Sequence, residues 1–411
     1  MKVNTLIILI IKSIFIVYTA IIINDLNVNI LKLKVDENSL QQNNLDLNFN
    51  NDLVKLADKF SLQLEELDYS NRENLDEFFE RNFIELNLEL VNDVNDNDSH
   101  EYVTKLTSFN SINSQSILLH VPIHSSIKTN PLNLNNDLNV RGISLTLSLI
   151  KYFNSLNIWS KDFLVIFSDN LRNHLERYQQ LDINNIWFGL SLDYPSDSFN
   201  KILLNFQSPS TLPNLDLLST LYSLANKLSI EISTPGLISS YKSSILPSKV
   251  EEYHTILQEF KIDAISLICI PWEGPHGFLS LGRLLEGLFR SLNNLIERLH
   301  ASLTIYLLYN NNLISLSSFI PLVGIITVHN LVQIFSNDFK ISPIDFIKLF
   351  ITSSIAYTIS PNIQLWLIIT NIINLMVLNK SVHKLLLTFL IIYSSLINFY
   401  LAFTLSIISL L

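Results

Sequence analysis

Ile262–Ile270 reads IDAISLICI, and Pro271–Leu308 continues PWEGPHGFLSLGRLLEGLFRSLNNLIERLHASLTIYLL. A strand-like apolar run enters a Gly/Pro-rich loop, and a long amphipathic helix follows. From Gly282 to Leu303 the apolar positions are Leu284, Leu285, Leu288, Phe289, Leu292, Leu295, Ile296, Leu299 and Leu303, one wide stripe at i, i+3/i+4, i+7 spacing. Arg283, Glu286, Arg290, Asn293, Asn294, Glu297 and Arg298 cover the other face. Such a stripe fits a helix of a soluble core or a helix lying at a membrane interface. The hydrophobic C-terminal third that comes next favours the interface, so the reading takes 279–309 as an amphipathic interfacial helix.

Working outward, the chain is 48% hydrophobic and 16% charged, with a mean hydropathy of +0.31. That balance is too apolar for an ordinary soluble protein and predicts membrane spans. Apolar residues crowd both ends. Val3–Ile23 reads as an uncleaved signal anchor (1–23), and spans are expected near Leu313–Phe335, Ile344–Ile359, Ile363–Leu378 and Leu385–Leu411 within a bundle at 310–411. Lys2 places Met1 in the cytosol by the positive-inside tendency and the large middle domain, 24–278, in the lumen. His329, inside a span, is a functional candidate by position, with a buried interhelical hydrogen bond as the competing reading. Net charge is −10 and no basic stripe appears, which argues against a nucleic-acid partner. The one cysteine, Cys269, sits in an apolar run and reads as a small buried hydrophobe. Asn97-Asp98-Ser99 is an N-glycosylation acceptor, usable only in a luminal domain.

The middle alternates strands and helices. Strands are expected at Ser116–Val121, Phe163–Phe167, Ile186–Leu192, Ile202–Phe206 and Ile262–Ile270. Helices are expected at Leu53–Phe60, Leu75–Phe83, Arg141–Leu156, Leu171–Leu181, Leu217–Leu228 and Glu251–Glu259. Bare apolar strands such as FLVIF belong to a sheet covered on both faces, so a mainly parallel α/β sandwich is predicted. Gly is scarce, with eight in the chain, and Asn, which tolerates φ > 0, is expected to replace it in turns.

Three stretches carry a family resemblance: RGISLTLSLIKYFNSLNIWSKDFLVIFSD (Arg141–Asp169), LPNLDLLSTLYSLANK (Leu212–Lys227) and Phe260–Leu308. Their order and spacing resemble the GPI-anchor attachment subunit of the endoplasmic-reticulum GPI transamidase. The resemblance implies a zinc-aminopeptidase-like α/β luminal domain with an N-terminal transmembrane anchor and a C-terminal transmembrane bundle. It implies a non-proteolytic role in which the GPI lipid amine is bound and presented for attachment to proprotein C-termini. The partners implied are the GPI lipid, the proprotein C-terminal signal and other transamidase subunits, among them a cysteine-protease-like catalytic subunit. A membrane-tethered zinc peptidase is the alternative.

Active zinc aminopeptidases hold two metals with a His-x-Asp pair, a bridging Asp, a Glu-Glu pair and a distant His. This chain departs from that pattern. Val121-Pro122-Ile123-His124-Ser125 lacks the first Asp, and Ser168-Asp169-Asn170 stands in the Glu-Glu region. The resemblance leaves Asp137, Asp169 and His254 as ligands for a single zinc. The competing reading makes Asp137 and Asp169 helix caps and His254 an exposed helix residue. Trp272, His276, Arg290 and Asn294 are the expected lipid or interface contacts, and no catalytic nucleophile is expected.

Overall fold

The alternating apolar runs form one mixed α/β layer structure. A computed structural model describes residues 46–67, 72–90, 101–108, 115–127, 138–178, 185–204, 213–234, 252–299, 306–309, 312–315, 320–336 and 380–397, with single or paired positions elsewhere. In chain order the elements are β1 (Val28–Asn29), α1 (Asn51–Glu65), α2 (Arg72–Glu85), β2 (Glu89–Leu90), β3 (Glu101–Leu106), β4 (Ser116–Val121), α3 (Val140–Asn154), β5 (Asp162–Ser168), α4 (Leu171–Tyr178) and β6 (Ile186–Asp193). They continue with β7 (Phe199–Leu203), α5 (Leu215–Lys227), β8 (Glu231–Ser233), α6 (Tyr253–Glu259), β9 (Asp263–Pro271), α7 (Phe278–Asn293), β10 (Tyr306–Tyr309), β11 (Asn312–Ser315), α8 (Ile320–Ser336) and α9 (Lys380–Ile397).

The main sheet runs β2-β3-β5-β4-β6-β9-β7-β8. Its centre, β5-β4-β6-β9, is parallel, whereas β3 and β7 join antiparallel at the flanks. Period-2 alternation sorts each central strand between two cores. Ile117, Leu119, Phe163, Val165, Phe167, Leu190 and Leu267 face α1, α2, α3, α5 and α7. Leu118, Leu164, Ile166 and Ala264 face α4 and α6 through Leu171, Leu175, Ile256 and Leu257. Both faces are covered, which is why FLVIF carries no polar residue.

α7 corrects the expected interfacial helix at 279–309. Leu284, Leu285, Leu288 and Phe289 are fully buried and Leu292 nearly so, all within the main core. The stripe that suggested a membrane face is taken up by the domain's own sheet and helices. The helix also stops at Asn293. There the buried ammonium of Lys161 donates to the carbonyls of Asn293 (3.0 Å) and Leu295 (2.6 Å), supplying donors to carbonyls that the helix leaves unpaired. Glycine is required where α7 meets the segment before α1: a Cβ on Gly282 would lie 2.5 Å from the Phe49 ring.

A second sheet, β1-β11-β10, lies where the span from Leu313 was expected to start. α8 follows it and packs on α9. Among the described residues no helix is long and apolar enough to cross a membrane. The expected spans at 344–359 and 363–378, and most of 3–23, lie outside the described residues.

Candidate functional site

β4, β5 and β6 are parallel neighbours, so their C-terminal ends open on one edge of the sheet. The crossover after β4 runs over one face through α3, and that after β5 runs over the other through α4. In such sheets ligands bind in a crevice where the connections of neighbouring strands leave in opposite directions, and β4 leads on to β5 on one side while β6 leads to β7 on the other.

Three ionisable groups sit at that edge: His124 beyond β4, Asp169 beyond β5 and Asp193 ending β6. The His124 backbone N–H donates to Asp169 Oδ1 at 2.8 Å, and ring Nδ1 lies 2.6 Å from Oδ2. Both side chains remain 40% exposed. The bond to Asp169 raises the His124 pKa above its ordinary value, against a smaller opposing effect of burial. Burial pushes the Asp169 carboxyl upward, but the two bonds from His124 and its charge outweigh burial and hold it low. Asp193 is buried, and its Oδ2 accepts from the Ser126 backbone N–H (2.8 Å) and hydroxyl (2.5 Å). Burial raises its pKa, and the negative charge of Asp169 adds to the rise. Tyr253 stands over this edge: its ring is 4.4 Å from that of His120. Burial, then the charges of Asp169 and Asp193, push its hydroxyl pKa up.

Asn139 holds the crevice walls together. Fully buried, it donates through Nδ2 to Pro122 O (3.0 Å) after β4 and to Leu192 O (3.1 Å) in β6, while Oδ1 accepts from Tyr194 N (2.9 Å). It thus leaves its place before α3 without a side-chain cap. The side chain lies so close to Gly142 that a Cβ there would collide with it.

The expected zinc trio is not assembled by the described residues. Asp169 binds His124 rather than capping a helix. His254 is fully buried, not an exposed helix residue as the competing reading had it, and its N and Nδ1 both lie 3.2 Å from Ser266 Oγ in β9. Burial takes its pKa to about 4, so it is neutral. Asp137 lies outside the described residues, as does Asn97. Among the described residues no three His, Cys, Asp or Glu side chains form a metal-holding group. Both Asp169 oxygens are engaged by His124, and Asp193 Oδ2 by the serine turn, whereas the buried Asp193 Oδ1 has no hydrogen-bond partner.

Of the four expected interface residues, Trp272 is 68% exposed. His276 is buried, its carbonyl accepting from Phe199 N at 3.0 Å and its ring leaning on Phe199 at 5.5 Å. It is a strand-pairing residue and not a surface contact. Arg290 donates to Asp46 O (2.6 Å) and Glu286 Oε1 (3.3 Å), and Asn294 is the C-cap of α7. Sequence reasoning missed Asp193 and Asn139. The signal for Asp193 was its place at the end of a strand, β6, that lies on one side of β4 as β5, followed directly by Asp169, lies on the other.

The His124–Asp169 contact has a defined pH window. A raised histidine pKa contributes stability that is full below the unfolded pKa and lost as pH rises through the folded one. A lowered aspartate pKa contributes above its unfolded value and is lost as pH falls. The contact is therefore strongest between roughly pH 4 and 6.5. In Asp169→Asn the His124 pKa should fall back toward its ordinary value. Imidazole NMR titration of the full chain checks this, and an unmoved His124 would contradict the contact.

Residues 114–345 match the family model described as "Gaa1-like, GPI transamidase component". The chain is 29% identical over 218 residues to GPI transamidase component GAA1 of Saccharomyces cerevisiae, covering 46% of this chain and 35% of that one. It is 28% identical over 264 residues to GPI transamidase component gaa1 of Schizosaccharomyces pombe, covering 55% and 44%. The matched part spans less than half the length of either relative. Among solved structures, a glutaminyl cyclase of Fimbriiglobus ruber aligns with a TM-score of 0.42 at 11% identity, over 60% of this chain and 97% of that one. The Legionella pneumophila aminopeptidase LapA aligns at 0.41 and 11%, over 65% and 79%.

Proposed function

Because the chain belongs to the Gaa1-like, GPI transamidase component family, we propose that it is a non-proteolytic subunit of the GPI transamidase complex. In this reading the chain is a multi-pass protein of the endoplasmic-reticulum membrane, with a cytosolic N-terminus and its α/β domain in the lumen. It helps to bind the GPI lipid and to present its amine for attachment to proprotein C-termini. Cleavage of the proprotein falls to a cysteine-protease-like subunit.

The match over 114–345, which runs from β4 through α8, is the observation that carries this reading. The chain's own chemistry agrees with a non-cleaving role. A thiol nucleophile acts as the exposed thiolate. Cys269 is completely buried in β9, and burial drives its pKa well up.

Purification of the tagged full chain in detergent tests the proposal. It should bring down a cysteine-protease-like protein and, when stripped of partners, hydrolyse no peptide. Peptide cleavage by the chain alone, or recovery without that partner, overturns it.

A further inference from the structure

Asp193 closes β6, and its carboxylate reaches across to the chain that leaves β4, where Oδ2 accepts from the N–H and hydroxyl of Ser126. It therefore stands at the switch between those two strands. Asp193 is only 3% exposed, yet Oδ1 meets no hydrogen-bond donor among the described residues. Ser125 lies near enough to ease the ionisation of the carboxyl, though short of a hydrogen bond to Oδ1. A buried carboxylate oxygen without a donor is costly, and folded proteins keep few of them.

The backbone on both sides of this residue is fixed. Asn139 binds the carbonyl of Leu192 before it (3.1 Å) and the N–H of Tyr194 after it (2.9 Å), and Tyr194 O accepts from Gly142 N at 2.9 Å. Two residues earlier, Ser191 Oγ lies 3.0 Å from His120 Nδ1. His120 Nε2 lies 2.8 Å from the Ser168 carbonyl, which can only accept, so Nε2 carries the ring proton and the Ser191 hydroxyl donates to Nδ1. Burial takes the His120 pKa to about 4, so this ring brings no positive charge. The groups that act on Asp193 are Ser125, Ser126 and Asp169, none of them a cation. A rigid, negatively charged acceptor is thus held at the sheet edge with one oxygen unserved.

We infer that Asp193 Oδ1 receives a primary ammonium group at this edge. An ammonium brings both the missing hydrogen and a compensating positive charge. It is a point donor, whereas a guanidinium seeks both oxygens of a carboxylate, and Oδ2 is already taken by Ser126. A quaternary ammonium has the charge but no hydrogen to give. The Asp169 side chain, 40% exposed, keeps the approach negative. This rests on the reading that the chain presents a lipid amine, and it assigns that amine to one atom. A lysine side chain of a protein partner offers the same chemistry, so the test separates the two sources.

The probe is an aminoalkyl diazirine, a photoactivated primary amine, added to the full chain in detergent, with labelled residues mapped by mass spectrometry. Labelling should fall at the ends of β4 and β6, and ethanolamine should compete about tenfold better than choline. Asp193→Asn keeps an acceptor for Ser126 and should cut this labelling about tenfold while the circular dichroism spectrum is unchanged. Should that variant misfold, the comparison of ethanolamine with choline on the parent chain decides alone. Equal competition by the two, or labelling that survives Asp193→Asn, overturns the inference. So does stoichiometric zinc binding in equilibrium dialysis that Asp193→Asn abolishes, since Oδ1 would then be a metal ligand. A deacylated GPI headgroup should compete more strongly than a lysine-containing peptide, and the reverse order overturns the lipid source. Labelling that ignores Asp193, with transamidase partners recovered, sinks the site and leaves the subunit reading standing. Asp193-dependent labelling without those partners does the opposite.

Discussion

Asn139→Asp is expected to destabilise the α/β domain by about 3–5 kcal/mol, although it replaces one NH₂ group by an oxygen. The new oxygen would face the carbonyls of Pro122 and Leu192, which now accept from Nδ2, in a place without solvent access. An unpaired buried charge is among the few changes that cost this much, against a total stability of roughly 5–15 kcal/mol. The same physics fixes the pH dependence. Burial without a donor raises the folded-state pKa of the new carboxyl above its unfolded value, so the penalty shrinks as pH falls through that folded-state pKa. Urea unfolding of the full chain in detergent at pH 7.5 and pH 5 measures both. A loss under about 1 kcal/mol would mean that the hub does not hold the crevice. Because Asn139 N also donates to Ile123 O at 2.8 Å, the variant should disturb the His124–Asp169 contact while touching neither residue.

The second large effect is expected at Glu286. This fully buried carboxylate accepts from the backbone amides of Asn48 (2.9 Å) and Phe49 (2.8 Å) through Oε2, and from the Tyr152 hydroxyl (2.8 Å) and Arg290 (3.3 Å) through Oε1. The contact with it helps to raise the Tyr152 pKa to about 12, behind the larger effect of burial. Arg283 and Arg290 add bonds to Phe49 O and Asp46 O, so one face of α7 grips the segment that leads into α1. Glu286→Ala strands the two amides and the hydroxyl and should cost about 3–5 kcal/mol. Glu286→Gln keeps one acceptor oxygen and should cost less than half of that. Limited proteolysis of the full chain should show a new cut before Asn51 in the alanine variant first. Equal resistance of both variants and the parent would contradict the grip.

The i,i+4 spacing of Glu286 and Arg290 was legible in the sequence as a surface pair worth a few tenths of a kcal/mol. Its true setting was not, because the partners Asn48, Phe49 and Tyr152 lie far away in the chain. The strands were legible where burial on both faces leaves a bare apolar run, and Ser116–Val121 appears at its expected limits. α7 shows the corresponding failure. A stripe of leucines is the same whether sheet or lipid meets it, so periodicity identified the helix and not its environment. β10 was absorbed into the expected interfacial helix at 279–309 and β11 into the expected span from Leu313 for a related reason: LTIYLLYNNNLISLSS is apolar enough for any of these. At the site, Asp169 was read for zinc with Asp137 and His254, whereas the fold brings it to His124. Coordination and hydrogen bonding draw on the same residue types, and only three-dimensional placement separates them.

The main sheet ends on strands of two and three residues, Glu89–Leu90 and Glu231–Ser233. Among the described residues, each border strand itself therefore offers a foreign extended peptide only a short run of amides and carbonyls to zip onto. The long, densely apolar central strands are kept inside this frame, so the fully folded domain offers neighbouring chains little template for cross-β growth. That protection arrives only when β2 and β8 have docked. It predicts that the hazardous species in production of this protein is a late intermediate with bare flanks, not the finished domain.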